Sequence, residues 1–114
     1  ELILIAKKKN GIYSEMWQFP SISIKSSTKE NLLKRKFHEE FGIKIKSMRL
    51  IGSFNHLLSH RNICVKVYTL TARKTLKESK NFKWIKAKTL NSLPLPNLDK
   101  KVFKIFHNYK DDTK

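Results

Sequence analysis

An α+β sandwich, a mixed β-sheet with helices on its faces, is the fold class this sequence predicts. Three observations lead to it. Short apolar runs rich in β-branched residues recur along the chain, beginning with "LILIA" at positions 2–6. Two segments of helical periodicity, residues 26–42 and 97–109, interrupt and then close that series. A length of 114 residues suits one modest core, so residues 1–114 are expected to form a single domain.

The elements follow in order. Residues 2–6 carry no polar side chain and read as a strand buried on both faces. Asn10 and Gly11 mark a turn. Residues 16–24, "MWQFPSISI", read as extended, because Pro20 biases Phe19 away from helix and Ile22 and Ile24 share a face. In the first helix, Ser27 and Glu30 have capping-box spacing. Leu33, Phe37 and Phe41 stack at i, i+4 and i+8 with Leu32 beside them, and Gly42 stands where a C-terminal stop belongs. Residues 43–54 and 62–74 are the next two strands, with residues 54–60 as their connection. In the second of these, Ile63, Val65 and Val67 share one face while Cys64, Lys66 and Tyr68 share the other. Residues 80–85 are a short strand carrying Trp84, and a proline-punctuated stretch leads to the last helix. Asn97 is its expected N-cap, Asp99 suits the first-turn dipole, and Val102, Phe103, Phe106 and Tyr109 supply apolar faces.

The formal net charge is +16, from 25 basic and nine acidic residues. Such a balance suits a polyanion partner. Lys, Ile and Asn together exceed a third of the chain, however, as an AT-rich coding bias would also produce. Charge alone does not separate these readings. Cys64 is the only cysteine, which excludes an internal disulfide and a cysteine-ligated cluster or structural zinc site. It is expected to be a small core residue, in keeping with a reducing cytoplasm. No apolar stretch approaches a membrane span, and the first residues have neither signal-peptide shape nor an initiator Met, so the chain reads as a piece of something longer.

Residues 35–43, "RKFHEEFGI", resemble the second half of the Nudix box. That box runs glycine, five residues, glutamate, seven residues, then Arg-Glu-U-x-Glu-Glu-x-Gly-U with U aliphatic. Arg35, Glu39, Glu40, Gly42 and Ile43 match, and Phe37 stands at the first U. Lys36 replaces the glutamate that follows the arginine, Ser27 the upstream glutamate and Ser21 the leading glycine. Nudix hydrolases hold Mg²⁺ against a diphosphate with glutamates on one helical face, and hard cations require several oxygen ligands. An ammonium at position 36 removes a ligand and repels the metal. Glu39 and Glu40 then read as a solvated face with i, i+4 pairing such as Lys36 to Glu40. This resemblance implies a Nudix-like sandwich with a degenerate box.

Over nearly its whole length the chain is similar to the C-terminal domain of the MutY-type adenine DNA glycosylases. "GIYSEMWQFP" resembles that family's Gly-Leu-Trp…Trp-x-Phe-Pro segment, and "FNHLLSH" its Phe-x-His-x-Phe-Ser-His stretch, with Leu58 replacing the second aromatic. The closing Trp84, the leucine-proline stretch and the lysine-rich helix complete the order. The resemblance implies a parent enzyme that excises adenine mispaired with 8-oxoguanine in base excision repair. It also implies an N-terminal catalytic domain, absent from this sequence, that carries the active-site carboxylates and an iron–sulfur cluster. The present domain is expected to lack catalysis, metal and cofactor of its own. Its expected partners are double-stranded DNA with 8-oxoguanine opposite adenine and the parent's catalytic domain. It is expected to be monomeric, cytoplasmic and away from membranes.

By the same resemblance Leu58, Ser59 and His60 face the oxidised base; His56, from its chemistry, and Arg61, from its place beside the loop, are further candidate DNA contacts. The chemistry agrees. Guanine presents N7 as an acceptor; oxidation at C8 turns N7 into an N–H donor beside a new carbonyl oxygen. A serine hydroxyl accepts and donates, so Ser59 can answer either group, while His56 and His60 can hold the loop or contact phosphate. Other readings of "FNHLLSH" remain: a zinc pair, which lacks a third ligand, a Ser-His nucleophile, which lacks an orienting acid, and a purely structural loop. Trp17 and Trp84 suit core packing or base stacking. Lys25, Lys34, Lys44, Lys46 and Arg61 are placed to touch phosphate. Rival functions are an active Nudix diphosphohydrolase using Glu39 and Glu40, and a basic nucleic-acid module without lesion preference.

Overall fold

The computed structural model describes residues 2–7, 16–24, 28–72 and 78–112, without the side chains of Leu2, Leu58, Asp111 and Asp112. The expected Asn10-Gly11 turn lies outside the described residues. The elements are β1 (Leu2–Ala6), α1 (Glu30–Phe41), β2 (Ile45–Leu58), β3 (Arg61–Ala72), β4 (Phe82–Lys86), a 3₁₀ turn (Ala87–Ser92) and α2 (Asn97–Asp112). They make the expected α+β arrangement. Strand β1 pairs antiparallel with β4, Leu4 opposite Trp84, and β2 pairs antiparallel with β3.

The other edge of β1 is occupied too. The Ala6 N–H donates to the Gln18 carbonyl at 2.7 Å, and the Gln18 N–H returns a bond at 2.8 Å. The segment around Gln18 is thus extended, as Pro20 suggested. Alternation along β1 then sends side chains both ways. Leu4 and Ala6 join Phe37, Phe41, Ile43 and Ile45 in one cluster under α1. Ile3 and Ile5 join Ile85, Leu90, Leu95 and Phe103 in a second cluster on the α2 side. An all-apolar strand is what this double burial requires.

Helix α1 buries Leu33, Phe37 and Phe41, the expected stripe, and ends at Gly42, whose φ of 70° is left-handed and whose N–H donates to the His38 carbonyl. Its start corrects one expectation. Lys29 is the N-cap, without a side-chain cap bond, and Glu30 is already the first helical residue. A capping box needs its glutamate at the third helical position, so Glu30 cannot fill that role; Ser27 lies outside the described residues. Helix α2, by contrast, starts one residue earlier than expected, at Asn97, with the Pro96 carbonyl accepting from the Lys100 N–H at 3.0 Å.

Asp99 does more than suit a dipole. It is 4% exposed, and its Oδ2 accepts the Phe19 N–H at 2.7 Å. That bond clamps the extended segment to α2, where Phe19 and Phe103 also stack. Farther along, α2 crosses β2 closely. A Cβ placed on Gly52 would lie 2.8 Å from Ile105 Cγ2, and the strand register shifts between Leu50 and Gly52. Ile105 was not among the apolar residues expected of α2. Among the described residues no helix is long and apolar enough to cross a membrane.

Because Ile105 is β-branched, it has few rotamers with which to yield to a new methyl group. Gly52→Ala is expected to cost about 1–3 kcal/mol in urea unfolding. The same substitution in an Ile105→Ala background should cost less, since the clash is gone; equal costs in both backgrounds would show that the helix does not press on this glycine.

Candidate functional site

Residues 54–58 belong to a strand, which corrects their expected place in a connecting loop. Phe54 lies opposite Val65 and His56 opposite Ile63, so the apolar alternation of β3 is answered across the ribbon as far as Leu58. Leu58 pairs with Arg61, and the connection shrinks to Ser59 and His60. Both take positive φ, 47° and 69°. Two-residue hairpin loops favour such left-handed residues because their twist matches that of the strands, and Asn-Gly is the sequence that adopts them most easily. Serine and histidine carry Cβ atoms into this region at a cost of about 1–2 kcal/mol each. Both are exposed. A strained, solvated turn at the tip of a long ribbon is where a functional group can sit without a folding reason.

The two histidines part company. His56 is 8% exposed, and its Nδ1 lies 3.1 Å from Lys101 Nζ on α2. An ammonium only donates, so Nδ1 accepts and the fitting tautomer carries its proton on Nε2. The same ammonium stands 5.8 Å from the Phe54 ring centroid. His56 therefore fastens the ribbon to α2, while His60 stays at the tip. Among the described residues no group of three His, Cys, Asp or Glu side chains could hold a metal ion.

Arg61 is exposed beside the turn, and Leu58 enters only through its backbone pairing. Cys64 needs a correction. It is exposed rather than core, because it shares a face with Asn55 and Lys66 that no described residue covers. Of the other expected phosphate contacts, Lys44 and Lys46 are exposed, Lys34 is half-buried, and Lys25 lies outside the described residues. Trp17 packs against the second core cluster, with Lys7 Nζ 4.8 Å and Lys83 Nζ 5.9 Å from its ring. Trp84 is half-buried in β4, and its N–H donates to a Glu78 carboxylate oxygen at 3.4 Å.

On α1 the degenerate box divides by face. Phe37 is buried, whereas Arg35, Glu39 and Glu40 are exposed and Lys36 is half-buried. Magnesium needs near-octahedral oxygen coordination. Glu39 and Glu40 are the two carboxylates that this stretch of the box retains, and Lys36 stands one turn back on the Glu40 side, where the box has its other glutamate. The described donors therefore do not fit the divalent metal that an intact box would hold.

The NUDIX domain family matches residues 1–104. No curated protein matches the chain. Among solved structures, the solution structure of the E. coli ORF135 protein is similar with a TM-score of 0.76 at 19% identity, over 96% of this chain and 81% of that one. The NUDIX domain of Shewanella oneidensis NrtR, complexed with ADP ribose, is similar with a TM-score of 0.68 at 12% identity, over 92% and 75%. At these identities the likeness concerns the fold.

The turn geometry carries a stability prediction. Replacing Ser59 and His60 together by Asn and Gly supplies the residues that this turn favours, and should raise stability by about 1 kcal/mol in chemical unfolding. A clear loss of stability would mean that the two native side chains make contacts that hold the tip.

Proposed function

The chain belongs to the NUDIX domain family, and from that premise we propose that it is the DNA-binding, lesion-reading domain of an adenine DNA glycosylase. The parent enzyme removes adenine mispaired with 8-oxoguanine, and this domain contributes recognition of the oxidised guanine without chemistry of its own. The observation that carries the reading is the exposed Ser59–His60 turn, held in left-handed backbone geometry that neither residue favours.

Reading 8-oxoguanine requires an acceptor for N7–H and a donor for O8. The Ser59 hydroxyl can serve as either. His60 beside it offers an imidazole able to donate, and Arg61 a fixed cation for phosphate. The ribbon supplies stiffness, because it is anchored to α2 through Gly52 against Ile105 and His56 against Lys101. A recognition group on a stiff support loses less entropy on binding than one on a long loop. Adenine itself would be flipped into a pocket on the catalytic domain while this module holds the opposite strand.

The eroded α1 box supports a binding role over hydrolysis. A diphosphohydrolase would need several carboxylates around a metal, whereas position 36 offers an ammonium. Purified protein is expected to leave nucleoside diphosphate derivatives, ADP ribose included, intact in the presence of Mg²⁺. Hydrolysis abolished by Glu40→Gln would replace the present reading with an enzymatic one.

The decisive comparison is affinity for duplexes that hold adenine opposite 8-oxoguanine or opposite guanine. The chain should prefer the oxidised duplex, and Ser59→Ala should erase that preference, a change of about 5- to 150-fold for a lost base-edge contact. Affinity for the guanine duplex should stay the same. Equal binding of both duplexes by the unaltered chain would overturn the reading.

A further inference from the structure

The β2–β3 hairpin, residues 45–72, contains no aspartate or glutamate, although the chain as a whole has nine. It contains Lys46, Arg49, Arg61 and Lys66. One face of the ribbon packs toward α2 through His56 and Gly52, with buried Val67 opposite Gly52. Near its base the opposite face enters the core under α1, where Met48, Leu70 and Ala72 pack. Beyond that point no described residue covers this face as far as the tip. The register places Ser53 opposite Lys66, Asn55 opposite Cys64 and Leu57 opposite Asn62 on this face, and all six are exposed. The two large hydrophobic side chains left most open, Leu50 at 51% and Leu57 at 71%, stand at either end of it.

We propose that this uncovered face is a second DNA-contacting surface, which lies along the major groove on base pairs next to the one the turn engages. The inference rests on the lesion-reading function above and adds the surface and groove through which the domain holds undamaged sequence. Three properties select the partner. The face has no carboxylate to repel phosphates, and the hairpin is basic. Asn55 and Asn62 are amides, the group that bonds adenine N6 and N7 in pairs, and Leu57 offers apolar contact of the kind a thymine methyl takes. A two-stranded ribbon also fits a groove about 12 Å wide, and from Leu50 to Leu57 the face extends about 23 Å at strand rise. The position agrees with the turn, since N7 and C8 of the oxidised guanine are also major-groove atoms.

A protein or a membrane partner fits less well. Asn, Ser and Lys around isolated leucines make a poor apolar patch. Double-stranded RNA is excluded by its deep, narrow major groove, which does not admit a ribbon.

Cys64, the only cysteine, stands in the middle of this face and reports on it directly. Its alkylation by a maleimide should slow at least tenfold when the chain is saturated with a 20-base-pair duplex, and be unaffected by the same concentration of double-stranded RNA. In parallel, Asn55→Ala combined with Asn62→Ala should weaken binding to undamaged duplex at least fivefold. The slope of affinity against salt should not change, because no phosphate contact is removed. Both side chains are exposed, so the unfolding curve of the variant should match that of the unaltered chain. Unprotected Cys64, or a double variant that binds as tightly as the original, overturns the proposal. Lesion preference is read separately. A chain that protects Cys64 but does not prefer the oxidised duplex fails the lesion reading and keeps this surface, while the reverse result removes the surface alone.

Discussion

Strand β1 packs Leu4 and Ala6 against the α1 side and Ile3 and Ile5 against the α2 side, with hydrogen-bonded neighbours on both edges. Neither helix has a complete core without it. Ile5 is fully buried, and an aliphatic side chain of that size contributes about 1.5–3 kcal/mol when it leaves water. The extended segment at Gln18 and Phe19 depends on the same strand, through backbone bonds to Ala6, before Asp99 ties it to α2. The ribbon depends on α2 in turn. The chain of support therefore runs from β1 outward, through α2 at Gly52 and His56, to the exposed tip.

The inward-facing parts of this arrangement were legible in the sequence. Leu33, Phe37 and Phe41 repeat at one side of a helix, Gly42 stops it, and Leu2–Ala6 lacks any polar residue, so burial alone decides them. What stayed hidden depends on partners distant in sequence. Asp99 reads as a first-turn residue, and nothing local announces that Phe19, eighty positions earlier, will donate to it. Gly52 reads as a strand irregularity until Ile105 is seen against it. Cys64 was expected to be buried because alternation says which residues share a face but not whether that face is covered. The signal that could have corrected it was the company of Asn62 and Lys66 on the same face.

At the site the same division holds. Read as a loop, the motif "FNHLLSH" joined two histidines that the strand separates. Period two along β2 puts His56 toward α2, and the register ends the pairing at Leu58. Only Ser59 and His60 are left to turn the chain, and both accept an unfavourable φ to do so. An Asn-Gly pair would turn the ribbon at lower cost. The choice of a hydroxyl and an imidazole at that position is thus unexplained by folding, which is the physical ground for assigning them to recognition.

Helix α1 shows how a fold can be kept while residues of the family's box change. Its buried stripe and its glycine stop are fixed by packing against β1 and by the left-handed C-cap, so they keep the spacing of the Nudix box. The catalytic glutamates of that box belong to the opposite requirement. They must be solvated, close together and negative, and the fold gains nothing from them. Lys36 occupies one such position without disturbing Phe37 beside it, because adjacent helical residues point about 100° apart. A substitution at a box position and retention of the sandwich are therefore independent on one helix. The acidic residues that remain exposed, Glu39 and Glu40 among them, lie outside the β2–β3 hairpin, which has no acidic residue at all and is therefore the part that a polyanion can approach most readily.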